Sequence, residues 1–200
     1  AVNLGVRGTI YSIKEPDMLT GIHARLDAMQ ESGELKRQKK AVIARSIAHI
    51  LRPTPVSTVS DLKSGDTPRT HFFDPSIVLN KNIINSQGDL IAKEGTVINP
   101  LDHMHFHETL VFINSDNKDQ MSWVKGLIAK FRSQSKRFKI ILVNGNINTS
   151  TQYLKNRVYF DQTGSLCHKF SIIHTPTMVF QQMDNHLYIP RLVVQVVQIG

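Results

Sequence analysis

Among the residues of this sequence, three histidines at alternate positions have the type and spacing nearest to those of a metal-binding site. The run comprises His103, Met104, His105, Phe106 and His107. If it is extended, alternate side chains share a face, so the three imidazoles lie about 6.6–6.8 Å apart along one side of a strand. Neutral imidazole is a ligand for zinc, copper or nickel, and His71 or His168 could complete the set. The alternative is an amphipathic strand whose Met and Phe enter the core while the histidines face water.

The single cysteine, Cys167, limits the thiol chemistry open to the chain. One thiol cannot form an internal disulfide, a CxxC redox pair or a cysteine-rich zinc site. A thiol oxidoreductase would need a low-pKa thiolate at the start of the helix that follows the first α/β strand. The corresponding stretch, residues 114–120, contains no cysteine. We therefore expect Cys167 to be a small buried side chain, with an intermolecular or reactive thiol as the alternative.

Positive charge dominates the composition, with 24 Lys and Arg against 16 Asp and Glu and a net charge of +8. The densest cluster, Lys36-Arg37-Gln38-Lys39-Lys40, could contact phosphate or an acidic protein face, or be a solvated helical face. A nucleic-acid binder would interleave aromatic side chains with such charges. No aromatic residue lies within ten positions of this cluster on either side. We therefore expect no direct contact with nucleic acid, and a basic nucleic-acid-binding module is kept as an alternative.

The start of the chain is predicted to be a helical extension, residues 1–53, followed by a linker, residues 54–70. Pro16 beside acidic neighbours is typical of the first helical position, and two apolar stripes with helical spacing follow, one on each side of Gly33. Pro53 ends the second stripe. Prolines and many Ser, Thr and Asp residues then indicate a linker. Because the stripes are narrow, the helices are expected to pack on a partner or on the rest of the chain.

Residues 71–108 are predicted to form a small β-hairpin unit. Short apolar runs recur between turn-forming sequences: Phe72–Phe73, Ile77–Leu79, Ile83–Ile84, Leu90–Ile91 and Val97–Ile98. This spacing is typical of antiparallel hairpins. The region contains no phosphate-binding glycine pattern, and no cofactor is expected.

Residues 109–200 are predicted to form an α/β domain. Two continuous apolar strands, residues 110–113 and 138–143, flank an amphipathic helix, so they should be parallel neighbours with a right-handed crossover. Near the end, Thr175-Pro176 precedes two apolar runs that predict an antiparallel hairpin, and a cis bond before the proline would fit. Parallel strands followed by a proline-led hairpin resemble the thioredoxin-like fold. The predicted fold class is α/β, with a thioredoxin-like C-terminal domain, an N-terminal helical segment and the small β-hairpin unit.

Seven short segments in one order resemble the TraW family of F-type conjugative transfer (type IV secretion) systems. They are Pro16-Asp17-Met18-Leu19, Leu51-Arg52-Pro53-Thr54-Pro55-Val56, Pro68-Arg69-Thr70 with Phe73-Asp74-Pro75, Ile98-Asn99-Pro100-Leu101, Leu110–Asn114, Leu142-Val143-Asn144-Gly145-Asn146-Ile147 and Arg157-Val158-Tyr159-Phe160-Asp161-Gln162. These segments and the proline-led hairpin supply the structural and interface candidates: Pro16, Arg52, Pro53, Pro55, Phe73, Asp74, Pro75, Tyr159, Phe160, Asp161, Thr175 and Pro176.

The resemblance implies a mature periplasmic protein of a Gram-negative donor cell that helps to assemble the conjugative pilus and the transfer apparatus. It implies work with the related thioredoxin-like protein TrbC and with TraU, and it implies no enzymatic activity and no catalytic residues. The opening residues Ala1-Val2-Asn3 agree with cleavage behind a signal peptide. No apolar stretch approaches the roughly 18–20 residues that span a bilayer, so no transmembrane segment is expected. The histidine run is not part of the family pattern, which lowers the expectation of a metal.

Overall fold

The computed structural model describes residues 17–185 and 187–199, and the helix start predicted at Pro16 lies outside the described residues. The chain divides into two units, Ala1–Ala48 and His49–Gly200. Among the described residues, no helix is both long enough and apolar enough to cross a membrane.

Two α-helices come first in the described chain. α1 (Met18–Glu31) is capped by Asp17, whose carboxylate accepts a hydrogen bond from the Leu19 N–H at 3.1 Å. α2 (Glu34–Leu51) begins after Gly33, whose φ of +70° is a left-handed conformation that favours glycine and separates the two helices. Neither helix buries a side chain, so the apolar stripes that the spacing predicts are present but exposed.

Six short strands and a 3-10 helix follow. They are β1 (Ser60–Asp61), β2 (Thr70–Phe73), β3 (Ile77–Val78), β4 (Ile83–Ile84), β5 (Leu90–Ala92), β6 (Val97–Ile98) and the 3-10 helix Pro100–Asp102. β3 pairs with β6 and β4 pairs with β5, both antiparallel, as separate two-stranded ladders. Antiparallel pairing of the kind predicted for residues 71–108 is therefore present, whereas β2 lies at the edge of a larger sheet.

Five strands from the rest of the chain join β2 in a six-stranded mixed sheet. The elements of this part of the chain are β7 (Glu108–Asn114), α3 (Lys118–Ser133), β8 (Arg137–Asn144), α4 (Ile147–Leu154), β9 (Val158–Phe160), α5 (Ser165–Lys169), β10 (His174–Thr175), β11 (Thr177–Asp184) and β12 (Leu187–Val196). The strand order is β2-β12-β11-β7-β8-β9, with β7, β8 and β9 parallel and β11 antiparallel to β12. The predicted strand–helix–strand unit and the terminal hairpin are confirmed, and the Thr175–Pro176 bond is cis.

Alternation along β7 places apolar side chains on both faces of this sheet. Leu110 and Phe112 belong to one cluster of buried side chains, and Val111 and Ile113 belong to a second. Successive strand residues point to opposite faces, so a strand that is apolar throughout must be covered on both. The first cluster includes Cys167 of α5, and the second includes residues of α3 and α4.

Residues 54–70, predicted to be a linker, are tied to the sheet instead. Val56 is only 9% exposed, and its N–H donates to the carbonyl of Val143 at 2.9 Å. β1 pairs in parallel with β10. The difference arises because single anchoring residues among prolines and polar turns leave no periodic apolar pattern in the sequence.

Candidate functional site

A half-buried carboxylate, Asp61, gathers polar side chains from three other parts of the fold. Its Oδ1 accepts hydrogen bonds from Thr175 Oγ1 at 2.9 Å, Gln120 Nε2 at 2.9 Å and Asn114 Nδ2 at 3.1 Å. Its Oδ2 accepts from Asn117 Nδ2 at 3.0 Å. These five residues are called the Asp61 network below.

Local folding explains why these side chains meet. Asn114 ends β7, Asn117 caps α3 by accepting two helix N–H groups, and Gln120 lies in the first turn of α3. Thr175 lies in β10, directly before Pro176. The network therefore sits at the carboxyl end of β7, beside the antiparallel strand β11, and open α/β sheets commonly bind ligands in such a crevice.

The β1 segment already occupies the edge of this crevice. The Ser60 N–H donates to the Ile173 carbonyl at 3.0 Å, and the Leu62 N–H donates to the Thr175 carbonyl at 2.9 Å. A cavity of about 200 Å³ remains beside the network, with Pro176 in its lining. The predicted interface candidate Thr175 is thus paired with the chain's own backbone.

Hydrogen bonding decides the charge state of Asp61. Burial alone would raise the pKa of this carboxyl, but the donors Asn117, Asn114, Thr175 and Gln120 together outweigh burial, and the pKa lies below its ordinary value of 3.8. The group is therefore an ionised acceptor at neutral pH. The network contains neither a thiol nor an imidazole, so what it can do is hold β1, β10 and the start of α3 together.

Cys167, predicted to be a buried structural residue, is 1% exposed in α5. Burial raises the pKa of its thiol far above the ordinary range, and the nearby Asp161 carboxylate raises it further. That carboxylate accepts the Cys167 N–H at 2.9 Å and the Leu166 N–H at 3.3 Å, so Asp161 caps α5. The thiol is neutral and shielded, which is the opposite of what nucleophilic chemistry needs.

Alkylation should therefore leave Cys167 unmodified in the folded protein. At pH 8 we expect iodoacetamide to modify it at least about 100-fold more slowly in the native state than in denaturant, because access requires local opening. Mass spectrometry of timed samples measures both rates. Equal rates in the two states would contradict the buried position and restore the reactive-thiol alternative.

The histidine run does not form the predicted strand. His105 stacks on the ring of Tyr188 with centroids 4.3 Å apart, and His107 meets the same ring edge-on at 5.7 Å. The residues before β7, including His103, lie in a turn and irregular backbone. Within residues 17–185 and 187–199, no three His, Cys, Asp or Glu side chains are arranged to hold a metal ion.

The two further histidines considered as metal ligands lie on other elements. His71 Nε2 is 2.9 Å from the Phe170 carbonyl oxygen, and His168 is exposed on α5. His105 and His107 share a side, with ring centroids 5.8 Å apart, but both pack against Tyr188, and His103 lies at the end of the preceding 3-10 helix.

Three predicted interface residues lie in the segment after α2. Arg52 forms a two-pronged ion pair with Asp116, with Nη2–Oδ2 at 2.5 Å and Nη1–Oδ1 at 3.3 Å. Pro53 is buried, and Pro55 is exposed at the border of a groove of about 770 Å³ between residues 54–58 and α5. Arg52 therefore attaches the segment to the loop between β7 and α3.

The remaining predicted interface residues are spread over several elements. Phe73 of β2 packs edge-on against Phe170 with centroids 5.1 Å apart. Asp74 accepts hydrogen bonds from both the N–H and the hydroxyl of Ser76, which hold the pKa of its carboxyl below the ordinary value, and Pro75 is half-buried beside it. On β9, Tyr159 is 37% exposed, and Phe160 packs against the second buried cluster.

Exposed apolar side chains of the sheet-containing unit lie on the short strands β3 to β6. Six of these side chains are more than half exposed, and we call this set the apolar platform: Ile77, Val78, Ile84, Leu90, Ile91 and Val97. Adjacent members such as Ile77 and Val78 point to opposite faces of their ladder, so the platform exposes apolar groups on more than one face. Exposed apolar groups of this kind typically mark interaction surfaces. The platform is the candidate functional site.

Side-chain hydrogen bonds fix the backbone beneath the platform. Asn85 Oδ1 accepts the Gln87 and Asp89 N–H groups at 2.9 and 2.8 Å, and Asn82 Oδ1 accepts the Glu94 N–H at 2.7 Å. Asn99 Nδ2 donates to the Pro190 carbonyl at 2.8 Å, which joins the platform to β12. The apolar side chains are therefore displayed on ordered turns.

The hairpins were predictable from the sequence, but the exposure of their side chains was not predicted. A usable signal was present, because adjacent apolar residues such as Ile77–Val78 must point to opposite faces of a two-stranded ladder. At most one of those faces can be covered by the chain's own short strands. The other face requires cover from elsewhere or remains in water.

Taken together, the structure defines a mixed α/β protein with a half-buried polar network and an exposed apolar platform. The chain is 39% identical over 181 residues to Protein TraW of Escherichia coli (strain K12), and the match covers 90% of this chain and 82% of that protein. The chain therefore belongs to the TraW family of F-type conjugative transfer proteins, which confirms the resemblance found in the sequence. No protein-family model matches the chain, and no solved structure matches it.

Proposed function

We propose that this protein is a non-enzymatic assembly component of an F-type conjugative type IV secretion system. In this proposal it works in the periplasm, supports pilus assembly and DNA transfer, and binds a TrbC-like partner alongside TraU-like components. Membership of the TraW family supports the placement in a transfer system. The apolar platform carries the proposal that the protein works by binding.

The platform is suited to a protein partner because its apolar groups are preorganised. Its turns are fixed by the Asn82, Asn85 and Asn99 side chains, so docking would order little further backbone. Interfaces are typically built from an apolar centre surrounded by polar groups. Asp89, Lys93 and Glu94 border the apolar residues in the sequence and supply polar groups of that kind.

A thioredoxin-like fold used for docking is part of the same proposal. Its support is the parallel β7–α3–β8 unit followed by Pro176 and the β11–β12 hairpin. A fold of this type does not by itself dictate chemistry. At the start of α3, where a thiol enzyme would need a reactive sulfur, the Asp61 network is found, and the thiol of Cys167 is buried in α5. These two observations favour a role in binding over redox catalysis.

Co-purification from periplasmic extracts of donor cells tests this function. The tagged wild-type protein should retain the TrbC-like partner. A double variant, Ile84→Asp with Ile91→Asp, should retain at least about ten-fold less, because charges placed on the platform would be buried in the interface without partners. Both residues are exposed, at 63% and 66%, so the circular dichroism spectrum and melting temperature should be unchanged.

The matched control is Leu187→Asp, which places a charge at a side chain that is 73% exposed on β12, outside the platform. It should retain the partner like the wild type. Equal retention by the platform variant would contradict the docking surface. If the wild-type protein formed no such complex but bound DNA tightly and in a salt-sensitive way, the nucleic-acid alternative would replace the proposal.

A further inference from the structure

A second exposed surface lies on one face of α2 and is divided between charge and apolar groups. Residues spaced by four, three and four positions share a face of an α-helix, and here they are Lys36, Lys40, Ile43 and Ile47. Ile43 is 59% exposed and Ile47 is 51% exposed, and both lysines are exposed. These four residues are called the α2 seam, which is basic in its first half and apolar in its second.

The lysines of the α2 seam are not committed to other contacts in the described chain. Arg37 pairs with Glu34 at 2.6 Å, and Gln38 donates to the same carboxylate at 3.1 Å. Within residues 17–185 and 187–199, neither Lys36 nor Lys40 makes an ion pair. The Glu34 carboxylate is therefore already paired with Arg37 and Gln38. The two lysines of the α2 seam can pair with carboxylates of another molecule.

From this layout we infer that α2 docks, by the α2 seam, into a groove of a protein partner that is acidic at one end and apolar at the other. Helices commonly bind proteins by laying one stripe of side chains into a groove. Charge complementarity sets the orientation of α2 in the groove. Carboxylates of the partner must face Lys36 and Lys40, and its apolar side chains must pack against Ile43 and Ile47. The inference concerns a surface separate from the apolar platform, so it goes beyond the proposed function.

A second copy of this chain does not offer the required groove on α1. Successive residues turn by about 100° around a helix, so Asp27 and Glu31 lie roughly 100–140° away from Leu26 in the apolar stripe of α1. That helix therefore shows its acids and its apolar residues on different sides. It cannot meet both halves of the α2 seam at once.

A membrane surface fits the α2 seam less well than a protein does. Helices that lie in a bilayer interface keep basic residues on the polar face and carry Trp, Phe or Leu on the apolar face. In α2 the lysines lie in line with the isoleucines, so embedding the stripe would bury Lys36 and Lys40. The helix also contains no aromatic residue. A protein groove with its own carboxylates removes this cost by pairing the lysines.

Photo-crosslinking in donor cells that produce the whole transfer system tests the inference. A benzophenone amino acid replaces Ile47 on the seam or, as the matched control, Ala41 on the opposite face of the same helix. Ile47 should crosslink to a different protein, through a peptide that contains apolar residues and carboxylates. Lys36→Glu with Lys40→Glu should reduce the yield at least about ten-fold, because each reversed contact becomes repulsive.

The inference is overturned if Ile47 and Ala41 crosslink equally, or if neither crosslinks. It is also overturned if the product at Ile47 is a second copy of this chain, or if the purified protein binds vesicles of anionic phospholipid through α2 and loses that binding in the Lys36→Glu, Lys40→Glu variant. The platform variant Ile84→Asp with Ile91→Asp should leave the Ile47 crosslink intact. The two surfaces can therefore fail independently.

Discussion

Replacing Asp61 by alanine is expected to destabilise the protein by about 3 kcal/mol, because a carboxylate that accepts several hydrogen bonds would be lost. Gln120, only 2% exposed, and the hydroxyl of Thr175, which is also buried, would each lose an acceptor. The destabilisation should affect both β1 and the start of α3, because both are hydrogen-bonded through this carboxylate. Urea denaturation followed by circular dichroism measures the free energy of unfolding.

The pH dependence of the free energy of unfolding tests the role of the Asp61 carboxylate independently. The pKa of Asp61 is lowered in the folded protein, so its stabilisation is present above the ordinary value of 3.8 and is lost as the pH falls through the lower folded value. The difference in stability between wild type and Asp61→Ala should therefore shrink below pH 3.8. A difference that is constant from pH 6 to pH 2 would contradict an ionised acceptor.

Asp66→Ala is the control for the Asp61 prediction. Asp66 is exposed, and among the described residues its carboxylate accepts only the Lys63 N–H, at 2.9 Å, so its loss should cost about 1 kcal/mol or less. Comparable losses at Asp61 and Asp66 would mean that the Asp61 network contributes no more than an ordinary surface turn.

Replacing Gly145 by alanine is expected to cost about 4 kcal/mol or to prevent folding, because steric overlap and backbone strain act together. A Cβ atom at this position would lie 1.8 Å from Ser115 Oγ and 3.0 Å from Ser115 Cβ. The φ of Gly145 is +109°, a conformation that L side chains rarely adopt. Thermal and urea unfolding of the purified variant measure the loss.

Gly126→Ala is the matched control, because it makes the same change where space and backbone allow it. Gly126 lies within α3, and nothing is found within 4 Å of a Cβ atom built there. Alanine should stabilise the helix by about 0.5–1 kcal/mol. If Gly145→Ala were equally well tolerated, the close approach of the β7–α3 and β8–α4 loops would not exist as described.

Periodic patterns were sufficient to predict the central elements. The continuous apolar runs of β7 and β8 bury alternate side chains in the two clusters, and the stripe of α3 enters the second, so the pattern in the sequence and the pattern in the core coincide. The proline-led hairpin was also predictable, since Pro176 interrupts a strand-like stretch. These are cases in which local preference and tertiary packing agree.

Single long-range anchors were not predictable. Val56 and Asp61 join a proline-rich, polar stretch to the sheet, yet neither belongs to a periodic pattern, and their partners Val143 and Thr175 lie far along the chain. The network is likewise assembled from polar residues of separate elements, and only their positions at strand and helix ends hint that they meet.

The histidine interpretation relied on a strand over residues 103–107, whereas β7 begins only at Glu108. Stacking of His105 on Tyr188 depends on a residue more than eighty positions away, so no local pattern reports it. The apolar platform differs from the histidine run in this respect. Its adjacent apolar residues are plain in the sequence, and only their exposure could not be predicted. Exposure depends on what the rest of the chain fails to cover.

A calorimetric titration of purified protein with a purified TrbC-like partner measures docking at the platform most directly. We expect one saturable binding event for the wild type and for Leu187→Asp, and binding weakened at least about ten-fold in Ile84→Asp with Ile91→Asp. Unchanged affinity in that double variant, with its fold intact by circular dichroism, would contradict the claim that the apolar platform is the docking surface.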